Sequence, residues 1–151
     1  MEVIAENAGL LSNLEVYMLL KDIRAGQVNK QKLHKSQHNL ATITYETVKY
    51  LERSPCGQQT PENVASFMKA MKNFNLTKAE KLQLLNHRPT SAVEIQLMIE
   101  ESEERLTEEQ IYQLLSVIAA SLPGPEPEQP PVSQEAEGER METYDNDYEA
   151  I

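Results

Sequence analysis

Between residues 13 and 25 the apolar positions are Leu14, Val16, Tyr17, Met18, Leu19, Leu20 and Ile23. At 100° per residue they project around most of a helix circumference instead of along one stripe. Ser12-Asn13-Leu14-Glu15 in front of them is a capping box, and Gly26 behind them is a stop signal. The pattern predicts a helix from about Asn13 to Ala25 that requires burial on more than one side. Residues 27–38 carry Lys30, Lys32 and Lys35 with only Val28 and Leu33 apolar, which predicts a flexible connection. A second helix is expected over about Leu40 to Arg53, with Ile43, Thr47, Val48, Tyr50 and Leu51 available for packing and Pro55 ending it. Thr60 as N-cap, Pro61 at the first helical position and Glu62 at the positive end of the dipole open a third helix reaching about Asn73. Its residues Val64, Phe67, Met68, Met71 and Phe74 recur at spacings of three and four, so one face is expected in the core.

Three more capping boxes follow: Thr77 to Glu80, Ser91 to Glu94 and Thr107 to Gln110. They predict helices to about Leu85, to about Ser102 and to Leu122, with Asn86-His87-Arg88-Pro89 separating the first two. Val93, Ile95, Leu97, Met98 and Ile99 spread around the axis of the middle one, the pattern of a central helix surrounded by others. Ile111, Leu114, Leu115, Ile118 and Leu122 line one face of the last. The fold class is therefore all-α, a helical bundle, with Val64, Phe67, Leu84, Ile95, Met98, Leu114 and Ile118 as its expected core. At the start, Glu2-Val3-Ile4-Ala5 has the character of a short strand without an internal mate, so it needs another chain's sheet edge. The expected organisation is an N-terminal docking strand and helix (1–26), a flexible linker (27–38), a helical core domain (39–122) and a disordered acidic tail (123–151).

The tail follows from composition. From Pro123 onward lie five of the eight prolines and nine acidic residues against one Arg, too little apolar surface to offset ordering entropy. This segment holds −8 of the formal charge of −10, leaving the first 122 residues nearly neutral at −2. Neither a strong phosphate-binding field nor a strongly anionic domain follows. The chain shows no positively charged leader and no long apolar run, so it is expected to stay inside the cell, without a membrane span. The single Cys56, in a Ser-Pro-Cys-Gly loop with no His or Asp beside it, is expected to be an inert loop thiol.

Candidate chemistry is sparse. His34 and His38, spaced i and i+4, could chelate a metal on a helix, but nothing nearby completes a ligand shell; a solvated linker is the plainer reading. His87 in its turn is expected to hydrogen-bond helix-end carbonyls. Glu100, Glu101, Glu103 and Glu104 read as a solvated bend or as an acidic docking patch, although acids near a helix C-terminus oppose the macrodipole. Lys21, Arg24, Lys30, Lys32 and Lys35 form a loose basic stretch with no aromatic residue interleaved. Tyr144 and Tyr148 sit in an acidic setting open to phosphorylation, although an unmodified, disordered segment is the plainer reading. No phosphate loop, nucleophile–base pair or metal array is apparent, so no catalysis, cofactor or metal is expected.

The block Leu76-Thr77-Lys78-Ala79-Glu80-Lys81-Leu82-Gln83-Leu84-Leu85-Asn86-His87-Arg88-Pro89, continuing through Ala92-Val93-Glu94-Ile95-Gln96-Leu97-Met98-Ile99-Glu100-Glu101 to Arg105-Leu106, resembles the family of the ninth, stalk-forming subunit of RNA polymerase III. Leu11 to Val16 and Thr42 to Thr47 match the same family, so the resemblance covers residues 1 to about 122. It implies a helical domain of the helicase-and-RNase-D C-terminal type, paired with an OB-fold stalk partner and joined to the polymerase core. It further implies contact with initiation factors, a role in initiation on small untranslated RNA genes, and a nuclear location. The family is also linked with coupling of the calcitonin gene-related peptide receptor, a membrane receptor complex; that implies an adaptor role in the cytoplasm or at the plasma membrane. A third reading is an independent nucleic-acid-binding helical module, against which the near-neutral domain argues. Together with the wrap-around first helix, the stalk implication puts the partner interface on Val3, Ile4, Leu11, Leu14, Tyr17, Leu19 and Leu20. The alternative, a first helix wholly internal to the chain, remains open at this stage.

Overall fold

A computed structural model of the chain describes residues 4–6, 8–26 and 38–130. Among them it is all-helical, with seven α-helices and no strand: α1 Asn13–Arg24, α2 His38–Glu52, α3 Pro61–Ala70, α4 Lys78–His87, α5 Ala92–Met98, α6 Ser102–Arg105 and α7 Glu108–Ser121. Short 3-10 turns at Pro55–Gln58 and Met71–Asn73 flank α3. Val3 and the expected linker up to residue 37 lie outside the described residues, as does the tail from residue 131. Ile4 and Ala5, expected in a strand, are in none, and Ile4 is 98% exposed.

Every predicted capping box forms. Ser12 N–H donates to Glu15 Oε2 at 2.7 Å and Thr77 N–H to Glu80 Oε2 at 2.7 Å, with Ser91/Glu94 and Thr107/Gln110 arranged alike. A fifth box, Thr60 with Asn63, opens α3. Each N-cap is worth on the order of 1 kcal/mol, a large share for helices this short.

The main core joins α3, α4, α5 and α7. Phe67, Leu84, Ile95, Leu114 and Ile118 are fully buried there, and Val64 and Met98 pack partly against it. Met68, expected on the core face of α3, is 45% exposed. A smaller core of Leu14, Leu51 and Cys56 joins α1, α2 and the turn after α2, with Val64 packing against both cores. Cys56 is thus no loop thiol: it is buried in that second core, and its Sγ lies 3.1 Å from Ser54 Oγ.

The helix expected to run to Ser102 ends four residues early. Ile99 adopts extended backbone (φ −108°, ψ 121°), which lets its side chain plug the core, and Glu101 follows in the left-handed region at φ 51°. The break relocates the acids: Glu103 and Glu104 now stand in the first turn of α6, where the helix dipole favours them. Nor is α5 surrounded. Val93 is 61% and Leu97 82% exposed, because the other elements cover only the Ile95 and Ile99 side.

Helix ends are fastened to distant segments by two arginines. Arg88, at φ 47°, closes α4 through its backbone N–H to the Leu84 carbonyl at 2.9 Å. Its buried guanidinium donates from Nε and Nη2 to the Leu122 carbonyl at 3.3 Å each, capping α7, and burial lowers its pKa. The capping expected of His87 is done by Arg88, because the exposed His87 side chain is still part of the helix while Arg88 has turned inward. The chain beyond Pro123 folds back over this arginine. Gly124 sits at φ 147°, and a Cβ there would stand 2.5 Å from Arg88 Nε, so glycine suits both the backbone and the space. Glu128 N–H donates to the Thr90 carbonyl at 2.7 Å, and its carboxylate accepts from Ala92 N–H at the start of α5 at 3.2 Å.

Arg105 does the second fastening. It holds Glu80 in a two-pronged ion pair (2.6 and 3.1 Å) and reaches the Glu100 and Asn75 carbonyls at 3.0 and 3.1 Å. With the Arg105 hydrogen bond as the largest cause, helped by the Thr77 N–H, the Glu80 carboxyl drops from an ordinary 4.5 to about 2. A depressed folded pKa stabilises at pH above the unfolded value and ceases to do so as pH falls from about 4.5 toward 2. Glu80→Gln is therefore expected to lose about 1–2 kcal/mol at pH 7 after allowance for solvent screening. Denaturant unfolding of both proteins from pH 7 to pH 3 should show the gap narrowing toward acid; a gap constant with pH refutes the assignment.

Candidate partner interface

Among the described residues the N-terminal helical pair leaves the most large apolar side chains exposed. The Ser12–Glu15 box starts α1, and Asn13 N–H donates to Asn86 Oδ1 at 2.9 Å, pinning that start to the end of α4. Along α1 only Leu14 is fully buried; Val16, Tyr17, Leu20 and Ile23 are half-buried, and Met18 and Leu19 are 45% and 46% exposed. Opposite it, α2 buries Thr44, Val48 and Leu51 and leaves Ile43 63% and Tyr50 71% exposed.

The residues expected to meet a partner therefore divide. Val3 lies outside the described residues, Ile4 and Leu11 are exposed ahead of α1, Leu19 is exposed, and Tyr17 and Leu20 are half-covered. Leu14 stands apart: at 5% exposure it belongs to the small core with Leu51 and Cys56. Leu10, Ile43, Tyr45 and Tyr50, all exposed and apolar, were not among the residues expected at the interface. For Ile43 and Tyr50 the signal was present, since both were expected to pack and both stay largely uncovered among the described residues.

Charge on this pair of helices is arranged over aromatic rings. Lys21 Nζ stands 5.0 Å from the Tyr17 ring centre, and the Tyr45 ring has Arg24 at 5.6 Å and Lys49 at 5.8 Å. The basic stretch that looked free of aromatics thus acquires two, one from a helix turn earlier and one from α2; its lysines at 30, 32 and 35 lie outside the described residues. Exposed cation–π pairs contribute about 0.5–1 kcal/mol each and hold long side chains in place. The acidic run at Glu100, Glu101, Glu103 and Glu104 is exposed. Among the described residues no three His, Cys, Asp or Glu side chains converge as a metal site, and no helix is long and apolar enough to cross a membrane. His34 and the His38 side chain lie outside those residues.

The sequence profile of the RNA polymerase Rpb4 family matches residues 10–121, the span from just ahead of the α1 cap to the last residue of α7. This chain belongs to the Rpb4 family. Among its relatives is DNA-directed RNA polymerase III subunit rpc9 of Schizosaccharomyces pombe, 35% identical over 129 residues that cover 82% of this chain and 100% of the relative. The Dictyostelium discoideum subunit of the same name is 31% identical over 108 residues, 68% of this chain and 77% of its own. DNA-directed RNA polymerase III subunit RPC9 of Saccharomyces cerevisiae is 27% identical over 158 residues, 79% and 98% respectively. The Rpb4 assignment agrees with the resemblance carried by Leu76 to Leu106. It brings no support for a receptor-coupling adaptor or an independent nucleic-acid-binding module.

Separate roles for Leu14 and Leu19 on one Rpb4-family helix can be measured. Leu14→Ala removes a core side chain and is expected to cost roughly 2–5 kcal/mol, whereas Leu19→Asp on the exposed side should stay within about 0.5 kcal/mol of the parent. Thermal or urea unfolding of the purified chain checks both; comparable losses would mean that α1 is internal all round.

Proposed function

We propose that this chain is the Rpb4-like stalk subunit of RNA polymerase III. It is an accessory, non-catalytic subunit that pairs with an OB-fold stalk partner, joins the polymerase core in the nucleus and supports initiation on small untranslated RNA genes. The observation that carries the reading is the similarity to the fission yeast polymerase III subunit along that protein's entire length. The apolar exposure of Ile4, Leu11, Leu19 and, on α2, Ile43 and Tyr50 supports it, because a subunit of an assembly leaves part of its apolar surface for its neighbours. The proposed partner surface is made by Val3, Ile4, Leu11, Tyr17, Leu19 and Leu20, with Leu14 underneath as the residue that fixes the angle of α1.

The fold gives this surface a mechanism. The capping box at Ser12 and the Asn13–Asn86 hydrogen bond orient α1 on the helical core, so a partner gripping α1 holds the whole domain as a rigid projection. Nothing in such a role requires a titrating group or a bound cofactor, and the nearly neutral helical part fits docking through apolar contact better than through phosphate contact.

Affinity purification of the tagged chain from nuclear extract, read by mass spectrometry, is the test. Polymerase III subunits and a stoichiometric small OB-fold protein are expected with the parent chain. The folded Leu11→Asp/Leu19→Asp variant should lose the OB-fold protein. Absence of polymerase subunits from the parent purification overturns the proposal, and undiminished recovery with the variant overturns the interface.

A further inference from the structure

Between the end of α3 and the start of α4 the surface opens into a groove of about 720 Å³. Its floor is apolar: Leu10, Met68 and Leu82 lie there with the buried Leu85, and Leu10 and Met68 are 76% and 45% exposed. A second hollow of about 330 Å³ shares these four residues and lengthens the trough toward Met18. Lys69 and Lys72 line the groove from the α3 side and Lys78 and Lys81 from the first turn of α4, and no carboxylate lines it with them. Among the described residues the one ion pair is that of Glu80 with Arg105, which also takes up the acid of that first turn. The four ammonium groups thus have no counter-charge from those residues.

An apolar floor beside a cationic rim matches an occupant that is apolar on one side and anionic on the other. No aromatic ring lines the groove, so the bases of a nucleic acid would find nothing there to stack on. Its walls are helices, and no strand edge is present among the described residues to pair with an extended peptide. An occupant must therefore satisfy its own backbone N–H and carbonyl groups, which a helix does. We infer that the groove between α3 and α4 is a docking site for an acidic amphipathic helix of another polypeptide, its apolar face on Leu10, Met68 and Leu82 and its carboxylates toward the lysines. Lys78 and Lys81 stand at the N-terminus of a ten-residue helix, whose positive end adds to the attraction. None of the α1 residues proposed to meet the stalk partner lines this groove, so the two surfaces are separable by mutation.

The probe is a fluorescein-labelled synthetic peptide of about four helical turns, with Leu or Phe spaced three and four apart and Glu or Asp elsewhere. The full chain is titrated into it and anisotropy is read. Saturable binding is expected with a Kd on the order of micromolar, at least about tenfold tighter than for the same residues in scrambled order or for a counterpart with Lys at every acidic position. Rising salt should weaken it. Lys72→Glu/Lys78→Glu, which alters two exposed side chains, and Met68→Asp should each weaken it at least about tenfold while keeping the parent's thermal unfolding; Leu19→Asp should bind as the parent does. No binding at about millimolar peptide overturns the proposal. Equal binding of the scrambled peptide shows charge attraction alone, equal binding of the basic one shows apolar adhesion alone, and displacement by a single-stranded oligonucleotide shows a nucleic-acid site; each overturns it. Self-association of the parent chain in sedimentation, abolished by Lys72→Glu/Lys78→Glu, assigns the groove to a second copy and overturns the acidic helix.

Discussion

Helices of 4 to 15 residues leave about as many backbone groups unpaired at their ends as they pair within. A bundle made of such pieces stands or falls on how those ends are met, and this chain meets them with side chains. Five capping boxes take the N-terminal N–H groups. At the C-terminal ends the local devices are fewer, and the chain brings cations from elsewhere. Arg88 serves two helices at once, its backbone closing α4 and its guanidinium closing α7 some 34 residues away in sequence. Arg105 joins the start of α4 to the turn after α5 through Glu80, which is at the same time the N3 residue of the Thr77 box. The helices are thus tied end to end as well as packed side to side.

That arrangement explains the route of the chain after α7. Among the described residues no carboxylate pairs with the buried Arg88 guanidinium, which is held by carbonyl oxygen and by what covers it. Gly124 lies directly over Arg88, and Glu128 then caps α5 from outside. Residues 123–128 therefore belong energetically to the helical domain, although their composition is that of the acidic tail. Composition reports how much apolar surface a segment can bury. It is silent on whether two or three of its polar atoms are needed to close helix ends.

What could be read from the sequence was what is local. The boxes at Ser12, Thr77, Ser91 and Thr107 were legible because cap and partner stand three residues apart; the box at Thr60 was not, because Asn63 occupies the place usually taken by Glu or Gln. The buried face of α7 was legible from its period. The extent of α5 was not, since the extended backbone at Ile99 is imposed by a hole in the core that only the other helices define. Periodicity also shows which positions are apolar without showing what covers them: Ile95 and Leu97 look alike in sequence, yet one is sealed and the other is 82% exposed. Pairings such as Glu80 with Arg105, 25 residues apart, and the cations over Tyr45 have no signature in spacing at all.

The same limit bears on the candidate interface, where an apolar helix could be read in two ways. In the structure α1 is neither wholly internal nor wholly free. Its Leu14 side shares a core of three residues with Leu51 and Cys56, while Leu11, Met18 and Leu19 stay open. Across the seam, the Thr44 hydroxyl of α2 is buried with no hydrogen-bond partner among the described residues, a group that costs about 1–3 kcal/mol in that state. The α1–α2 pair has a small core and an unsatisfied hydroxyl, and most of the large apolar side chains exposed among the described residues lie on it or just ahead of it. Burial added on its outer side would gain more there than anywhere on the well-packed α3 to α7 core, because it would order the segment that has least of its own. On the proposed reading, docking through α1 and rigidity of the domain are one property: a partner would supply the apolar cover that the N-terminal helices lack, and the end-to-end ties through Asn86, Arg88 and Arg105 would carry its hold through to α7.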